Sequence, residues 1–397
     1  QFIIGYGNVS LKSLNTIVTF KKIYLIGGHL TPALAFIDYV KTNHADDKLV
    51  FIGRSYSQSN QQQRAHEQES VKKRGVDFFN LDVPKLTSYL PWKVALYIFS
   101  YVAKFFKIFG YLLLKRPNVV VSFGGYMAVP VSIAAWLLWI PVVTHEQTTT
   151  AGRANRFVSH FAKKVAISFP SSAHLFSKKK VILTGNPIRQ DIFDTKHMKP
   201  NWFTTTSKKP ILYITGGNQG SHVINTVTKQ SLRQLTKDFV VIHACGRATS
   251  SVNYLREMRA AQRKLPSTHQ NRYFVKEWIE TYELAWILQH AHSVVSRAGA
   301  NTVQELILSQ VPAVLIPLPF SFHSEQQLNA KLMSEGGGAI SIPQKEFTSK
   351  TLLKAVKEIR ENHGKMIKSL KALEIPKNGS QNLYQVLREV LGQTKSS

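Results

Sequence analysis

The chain has 397 residues, with 51 Lys and Arg against 23 Asp and Glu, a formal net charge of +28 and 44% apolar residues. That hydrophobicity excludes a disordered chain despite the charge, and 22 Gly with 16 Pro excludes a collagen-like one. Cys245 is the single cysteine, so no internal disulfide forms, no Cys/His cluster has zinc spacing, and a reducing compartment is the simpler reading.

Residues 1–20 show no clear pattern and lack the basic-then-apolar order of a secretory signal, so they stay unassigned. Then Ile23–Ile26 reads as a strand, Pro32–Lys41 as a helix and Leu49–Ile52 as a strand. Gly27-Gly28 makes the first turn, with Thr31-Pro32 as the N-cap and first residue of the helix. From Val83 to His145 there are 63 residues without a carboxylate, holding Lys85, Lys93, Lys104, Lys107, Lys115 and Arg116. Within them Leu90–Leu114 is rich in aromatics. Its charge-free runs, Val94–Ala103 and Ile108–Leu114, fall short of the ~20 residues that cross a bilayer. The segment reads as a helix lying on an anionic membrane surface, or as one partly packed on its own core. Pro117–Thr144 is uncharged for 28 residues, yet Gly124-Gly125, Pro130 and Pro141 divide it. It reads as strand Val119–Ser122, a glycine loop, helix Val131–Leu138 and strand Val142–Thr144 rather than as a membrane span.

The second half repeats the alternation. Strands are expected at Ile211–Thr215, Val240–Ala244, Arg272–Val275, Ser293–Ser296 and Ala313–Pro317. Helices are expected at Ser221–Leu235, Asn253–Arg263, Thr281–Gln289, Thr302–Leu308 and Glu325–Ser334, with a last one at Gln381–Leu391. Lys196–Lys209 reads as a polar, poorly periodic insertion. Tyr24–Gly28 is echoed by Tyr213–Gly217, strand then Gly-Gly then helix, 189 residues later. Such alternation predicts an α/β chain of two Rossmann-like domains, 21–187 and 188–378, with the C-terminal helix in 379–397 packing back on the first. Split at residue 187, the net charges are +15 and +13, so no basic arm stands out and nucleic acid is not an expected partner.

Ligands of doubly wound sheets sit at the carboxyl ends of strands, where this chain places small-residue loops. They are Gly27-Gly28-His29, Gly124-Gly125-Tyr126, Gly216–Gly220 and Arg297–Asn301. Glycine lets backbone approach a phosphate, and the following helix N-terminus supplies free N–H groups. A Walker lysine motif and a complete G-x-G-x-x-G are absent, and no Asp-x-Asp occurs to hold a metal on a diphosphate. His29 reads either as a general base for a hydroxyl nucleophile or as a loop histidine bonded to backbone. Glu305 reads as a ribose ligand or a helix-dipole carboxylate, and Arg189 as a diphosphate partner or a solvated hinge charge. Gln326, Gln327 and Asn329 suit sugar hydroxyls or helix capping.

Taken together the motifs resemble the MurG family, the UDP-N-acetylglucosamine:undecaprenyl-diphospho-muramoyl-pentapeptide N-acetylglucosaminyltransferases of peptidoglycan synthesis. The matching runs are Gly27–Ala33, Phe123–Tyr126, Ile140–Gln147, Ala151–Arg156, Thr184–Arg189, Gly216–Gly220, Arg297–Ala300 with Thr302 and Glu305, and Gln326 with Asn329-Ala330. All come in family order from about residue 21 onward. The chain departs at Tyr24-Leu25-Ile26, where the family usually has Gly-Gly-Thr, at Thr148 for Asn, and at Asn218 and Ala298 for Ser.

The resemblance implies a GT-B glycosyltransferase, two Rossmann-like domains facing across a cleft. It implies inverting transfer of N-acetylglucosamine from UDP-GlcNAc to the C4 hydroxyl of the muramoyl sugar of the undecaprenyl-linked acceptor (lipid I). The setting it implies is the cytoplasmic membrane face, with the protein peripheral and no cofactor or protein-bound metal. Carried over by position, His29 is the general base. Gly27, Gly28, Thr148, Arg189, Asn218, Ile279, Ala300, Asn301, Thr302, Val303, Glu305 and Gln326 serve the donor. Lys93, Lys104, Lys107, Gly124, Gly125 and Tyr126 face the acceptor and the anionic membrane. Rival readings are a UDP-GlcNAc 2-epimerase, which shares the architecture, and a related diacylglycerol glycosyltransferase.

Overall fold

The computed structural model describes residues 21–54, 66–82, 91–189, 198–217, 220–246, 253–320 and 324–392. Continuous apolar runs form the strands, as expected where helices cover both faces of a parallel sheet. The first sheet holds β1 (Lys22–Ile26), β2 (Lys48–Gly53), β3 (Asp77–Asn80), β4 (Val119–Ser122), β5 (Val142–Glu146), β6 (Lys164–Ile167) and β7 (Val181–Leu183). All are parallel, in the order β3-β2-β1-β4-β5-β6-β7. Its helices are α1 (Leu30–Asn43), α2 (His66–Lys72), α3 (Pro91–Lys115), α4 (Ala128–Leu137) and α5 (Arg153–Phe161).

The second sheet holds β8 (Ile211–Thr215), β9 (Val240–Ala244), β10 (Tyr273–Lys276), β11 (Ala291–Ser296), β12 (Ala313–Leu315) and β13 (Ala339–Ser341). It too is parallel, ordered β10-β9-β8-β11-β12-β13. Around it lie α6 (His222–Asp238), α7 (Tyr254–Arg263), α8 (Ser267–Gln270), α9 (Thr281–His290), α10 (Ala300–Leu308), α11 (Glu325–Glu335) and α12 (Ser349–Ala372). Strand order reverses between β1 and β4 and again between β8 and β11. Those switch points open a crevice at the strand ends. There the loops after β1, β4, β8 and β11 place His29, Gly124, Gly216 and Arg297.

Two chain crossings join the halves. The outgoing one runs through Gly185–Pro187, and the returning one leads through Pro376 into α13 (Gly379–Val390). They touch. A Cβ on Gly185, whose φ is +78°, would lie 2.5 Å from the Pro376 carbonyl oxygen, and one on Gly379 would lie 2.1 Å from that of Asn186. Helix α13 then shares a core with the first sheet, where Leu383, Tyr384 and Leu387 pack with Ile23, Phe36 and Val40. The Tyr384 hydroxyl donates to Asp47 Oδ2 at 2.6 Å and accepts from Lys21 Nζ at 3.0 Å, while its ring stacks on His44 at 3.7 Å.

Several expectations shift. Helix α1 starts at Leu30 with His29 at its N-cap, not at Pro32 with Thr31 as cap. Pro32 is the third helical residue, where the missing N–H has no intrahelical acceptor to lose. The insertion at 196–209 is not merely polar, since Phe203 is buried and the Trp202 indole N–H donates to Glu283 under α9. Helix α12 was unanticipated, although Leu352, Val356, Ile359, Met366 and Leu370 recur at helical spacing and are buried.

Candidate active site

A cavity of about 770 Å³ lies between the domains. One wall carries His29, Thr31 and Gln147; the other carries Arg189, Ile279, Ala300, Asn301, Thr302, Glu305 and Gln326. Eight of the predicted residues therefore meet in one cleft. The glycines stand behind it. A Cβ on Gly27 would strike Glu67 Oε1 at 2.0 Å, and one on Gly28 would meet the Gly124 carbonyl oxygen at 2.2 Å. Gly28 lets the loops after β1 and β4 touch, which fixes His29, whose N–H donates to the Phe123 carbonyl at 3.2 Å. Gly124 and Gly125, at φ +81° and +78°, complete that contact, and Tyr126 packs on the core below.

His29 opens to the cleft with no side-chain capping bond. Crowding by the cleft walls lowers the imidazole, towards about 4, but His29 is itself exposed to solvent, which works against that shift. A neutral imidazole at a strand end can accept a proton from a hydroxyl.

Opposite it, α6 and α10 begin at the cleft. Gly299, the N-cap of α10, has no side chain to cover that turn, and Ala300, Asn301 and Thr302 line the cavity, so the helix N-terminus faces it as an anion site would require. Ser221 caps α6 by accepting from Ile224 N at 3.4 Å. The same hydroxyl accepts from Arg297 Nη2 at 2.8 Å. Arg297 also donates to the Ile316 carbonyl at 3.1 Å and Gln344 Oε1 at 2.7 Å, tying both glycine loops together. Arg189 Nη2 lies 3.3 Å from Glu305 Oε1, and its Nη1 donates to Thr281 Oγ1 at 2.9 Å. Burial raises the Glu305 carboxyl, with Arg189 acting against it.

Other predicted residues sit differently. Thr148 is buried and turned into the wall, its hydroxyl sharing one hydrogen between Glu146 Oε1, 2.7 Å away, and the Thr150 carbonyl. Glu146 is the reason: it also accepts from Thr148 N, Gly152 N and Asn155 Nδ2 at 3.0, 3.0 and 2.8 Å, folding the loop about itself. Val303 is a core side chain, so only its backbone belongs to the α10 turn. Asn301 Oδ1 accepts from Asn186 Nδ2 at 2.6 Å across the domains. Asn329 is fully buried, donating to the Ala298 carbonyl at 3.1 Å, and Gln327 holds the Leu318 carbonyl at 2.8 Å, so both build the loop. Asn218 lies outside the described residues. Sequence reasoning missed Gln147, Ser221, Arg297 and Glu325 as cleft residues. The first three lie inside or beside motif runs; Glu325 had only its place before Gln326.

A second surface lies outside the cleft. Ile98, Phe99, Val102, Phe106 and Leu113 are exposed on α3, within a stripe about 100° wide at 3.6 residues per turn. Helix α4 packs between α3 and α5 and ends in exposed Trp136, Leu137 and Trp139. Trp139 is 93% exposed at φ +59°. Its N–H donates to the Trp136 carbonyl at 3.0 Å, and that of Ile140 to the Ala135 carbonyl at 2.9 Å, a Schellman ending that normally takes glycine. Lys104 lies on α3. Lys107 is exposed, and its ammonium donates to the Asn80 carbonyl at 3.1 Å and lies over Phe79. Lys93 is on α3, but its side chain lies outside the described residues. Among the described residues no helix is long and apolar enough to cross a membrane.

Comparison with known proteins settles the class. Residues 26–167 match the glycosyltransferase family 28 N-terminal domain, and residues 211–383 the family 28 C-terminal domain. The chain is 30% identical over 377 residues to the UDP-N-acetylglucosamine--N-acetylmuramyl-(pentapeptide) pyrophosphoryl-undecaprenol N-acetylglucosamine transferase of Clostridium tetani, covering 93% of this chain and 98% of that one. The chain belongs to the MurG family. It is therefore a glycosyltransferase with the two-domain GT-B fold that the family implies. The crystal structure of Acinetobacter baumannii MurG superposes with a TM-score of 0.70 at 22% identity, covering 93% and 99% of the two chains. A putative UDP-N-acetylglucosamine 2-epimerase from Listeria monocytogenes reaches 0.66 at 11% identity, with 95% and 98% covered. At that identity the epimerase shares the fold alone, and family membership favours transfer over epimerisation.

Proposed function

We propose that the chain transfers N-acetylglucosamine, with inversion, from UDP-N-acetylglucosamine to the C4 hydroxyl of an undecaprenyl-diphospho-muramoyl-pentapeptide. The observation that carries this reading is the cleft itself: neutral His29 on one wall faces the α6 and α10 N-termini, Arg189 and Glu305 on the other. The acceptor hydroxyl attacks C1 of the donor sugar and gives its proton to His29. The C1–O bond to the diphosphate breaks, and UDP leaves with the electron pair. Helix N-termini and Arg189 stabilise the developing charge, with no cofactor or protein-held metal in this scheme. Glu305 accepts from the ribose hydroxyls, the Ile279 backbone meets the base, and Gln326 meets the sugar.

The acceptor's lipid tail stays in the membrane, and the α3–α4 surface is the part suited to meet it. The exposed apolar side chains of α3 and α4 suit a lipid interface, and the basic excess of the chain suits an anionic one, which supports a peripheral position on the cytoplasmic face. The deciding assay supplies labelled UDP-N-acetylglucosamine with a lipid I analogue. Transfer is expected, and His29→Ala should abolish most of it. Conversion of the donor alone to its 2-epimer would replace this reading with the epimerase one, and a diacylglycerol acceptor tests the glycolipid alternative.

A further inference from the structure

The wall opposite the helix N-termini holds an amide that this scheme leaves unused. Gln147 follows β5, is 2% exposed, and borders the cavity with His29. Neither its Oε1 nor its Nε2 has a hydrogen-bond partner. Buried amides are rarely left so, because an unmade hydrogen bond costs the full desolvation of the group.

The neighbouring group accounts for only part of this. Gln147 lies beside the His145 imidazole, short of hydrogen-bond geometry. His145 Nε2 is 3.1 Å from the Gly185 carbonyl, which puts the ring proton on Nε2 and leaves Nδ1 as an acceptor. Nδ1 can take one amide hydrogen after a small turn of the side chain. One N–H and Oε1 of Gln147 still remain, a donor and an acceptor side by side. The loop carrying them reaches the sugar end of the cleft: Thr149 Oγ1 donates to Asn329 Oδ1 at 3.4 Å on α11, whose first turn holds Gln326.

A donor beside an acceptor complements an acetamido group, which offers N–H and C=O in the same way. We propose that Gln147 reads the 2-acetamido group of the donor sugar, Oε1 accepting its N–H and Nε2 donating to its acetyl oxygen. This rests on the donor being UDP-N-acetylglucosamine and adds a specificity-determining residue to that reading. A sugar with a 2-hydroxyl satisfies one of the two groups and leaves the other unpaired, the arrangement that discriminates most strongly.

The experiment compares kcat/KM for UDP-N-acetylglucosamine and UDP-glucose in wild type, Gln147→Met and Gln147→Glu, with UDP affinity measured by calorimetry. Gln147→Met should lower the first by about ten- to a hundredfold, leave the second nearly unchanged and keep UDP affinity, so the preference collapses. Equal losses with both donors, or an unchanged preference, overturn the proposal. If Gln147→Met does not fold, Gln147→Glu decides, since it keeps the acceptor and loses the donor: a reduced preference supports the proposal and a wild-type preference overturns it. A wild-type enzyme that prefers UDP-glucose overturns the donor reading along with this one, whereas failure in the variants overturns this one alone.

Discussion

Arg189 and Glu305 form an ion pair in the cleft, with Nη2 and Oε1 3.3 Å apart and both side chains largely buried. The cation proposed for the diphosphate and the carboxylate proposed for the ribose thus hold each other in place. Glu305→Ala would remove the proposed ribose acceptor and also leave a largely buried guanidinium without its anion. UDP affinity should fall about ten- to a hundredfold, roughly 1.4–2.8 kcal/mol. Because the partners share one network, Arg189→Ala with Glu305→Ala should cost less than the two losses added. Calorimetric titration of UDP into the four proteins checks this, and strict additivity would show that the pair does not act as a unit.

Protonation gives a second prediction. The imidazole of His29 is pushed down to about 4, well below its ordinary 6.5. If His29 is the proposed base, it stays free below its ordinary range, so kcat/KM should hold level from pH 8 to below 6.5 and decline only at more acid pH. An acid limb centred near 6.5 would mean that the cleft does not hold the imidazole neutral.

The same direction governs stability. Burial lowers His145 to about 4 and His243 to about 3, so the unfolded chain binds more protons between those values and 6.5. Stability therefore rises with pH across that window. It is fully present above 6.5 and drains away as pH falls towards the folded-state values. Each histidine contributes at most about 1.4 kcal/mol per pH unit. Urea midpoints at pH 7 and pH 5 should differ clearly, with the acid value lower.

Trp139 combines strain with exposure. A bulky residue at φ +59° is disfavoured by about 1–2 kcal/mol, and this indole is in solvent instead of a core. Trp139→Gly should therefore raise unfolding free energy by ~1 kcal/mol and weaken sedimentation with anionic vesicles. Stabilisation without loss of vesicle binding would remove Trp139 from the membrane surface.

Gly28 tests the loop contact behind the base. A methyl there would press on the Gly124 carbonyl, so Gly28→Ala should cost about 1–3 kcal/mol of stability and lower kcat by shifting His29. Thermal unfolding and turnover together report it.

Much of this was readable beforehand, for physical reasons. Runs such as Val119–Ser122 have one stable fate in a covered parallel sheet, and glycine loops at strand ends mark the crevice. Side-chain direction was not readable. Thr148 occupies a motif position, yet nothing local in the sequence says that Glu146 will gather it inward. Lys107 looks like its neighbours on α3 until Asn80, 27 residues away, supplies a carbonyl for it. Gln147 lies within a matching run, but that its buried amide is left without partners follows from the folded neighbourhood and not from the local sequence.

The two touching crossings carry a mechanical consequence. A single linker would let the domains swivel, slide and drift apart. Here the outgoing and returning strands lie against each other, with Gly185 abutting Pro376 and Gly379 abutting Asn186. Such a two-ply strap resists twisting and shear while still bending, so the lobes are guided like the halves of a book on its spine. Any opening and shutting of the cleft would then follow one path, returning His29 and the α10 N-terminus to the same alignment each time.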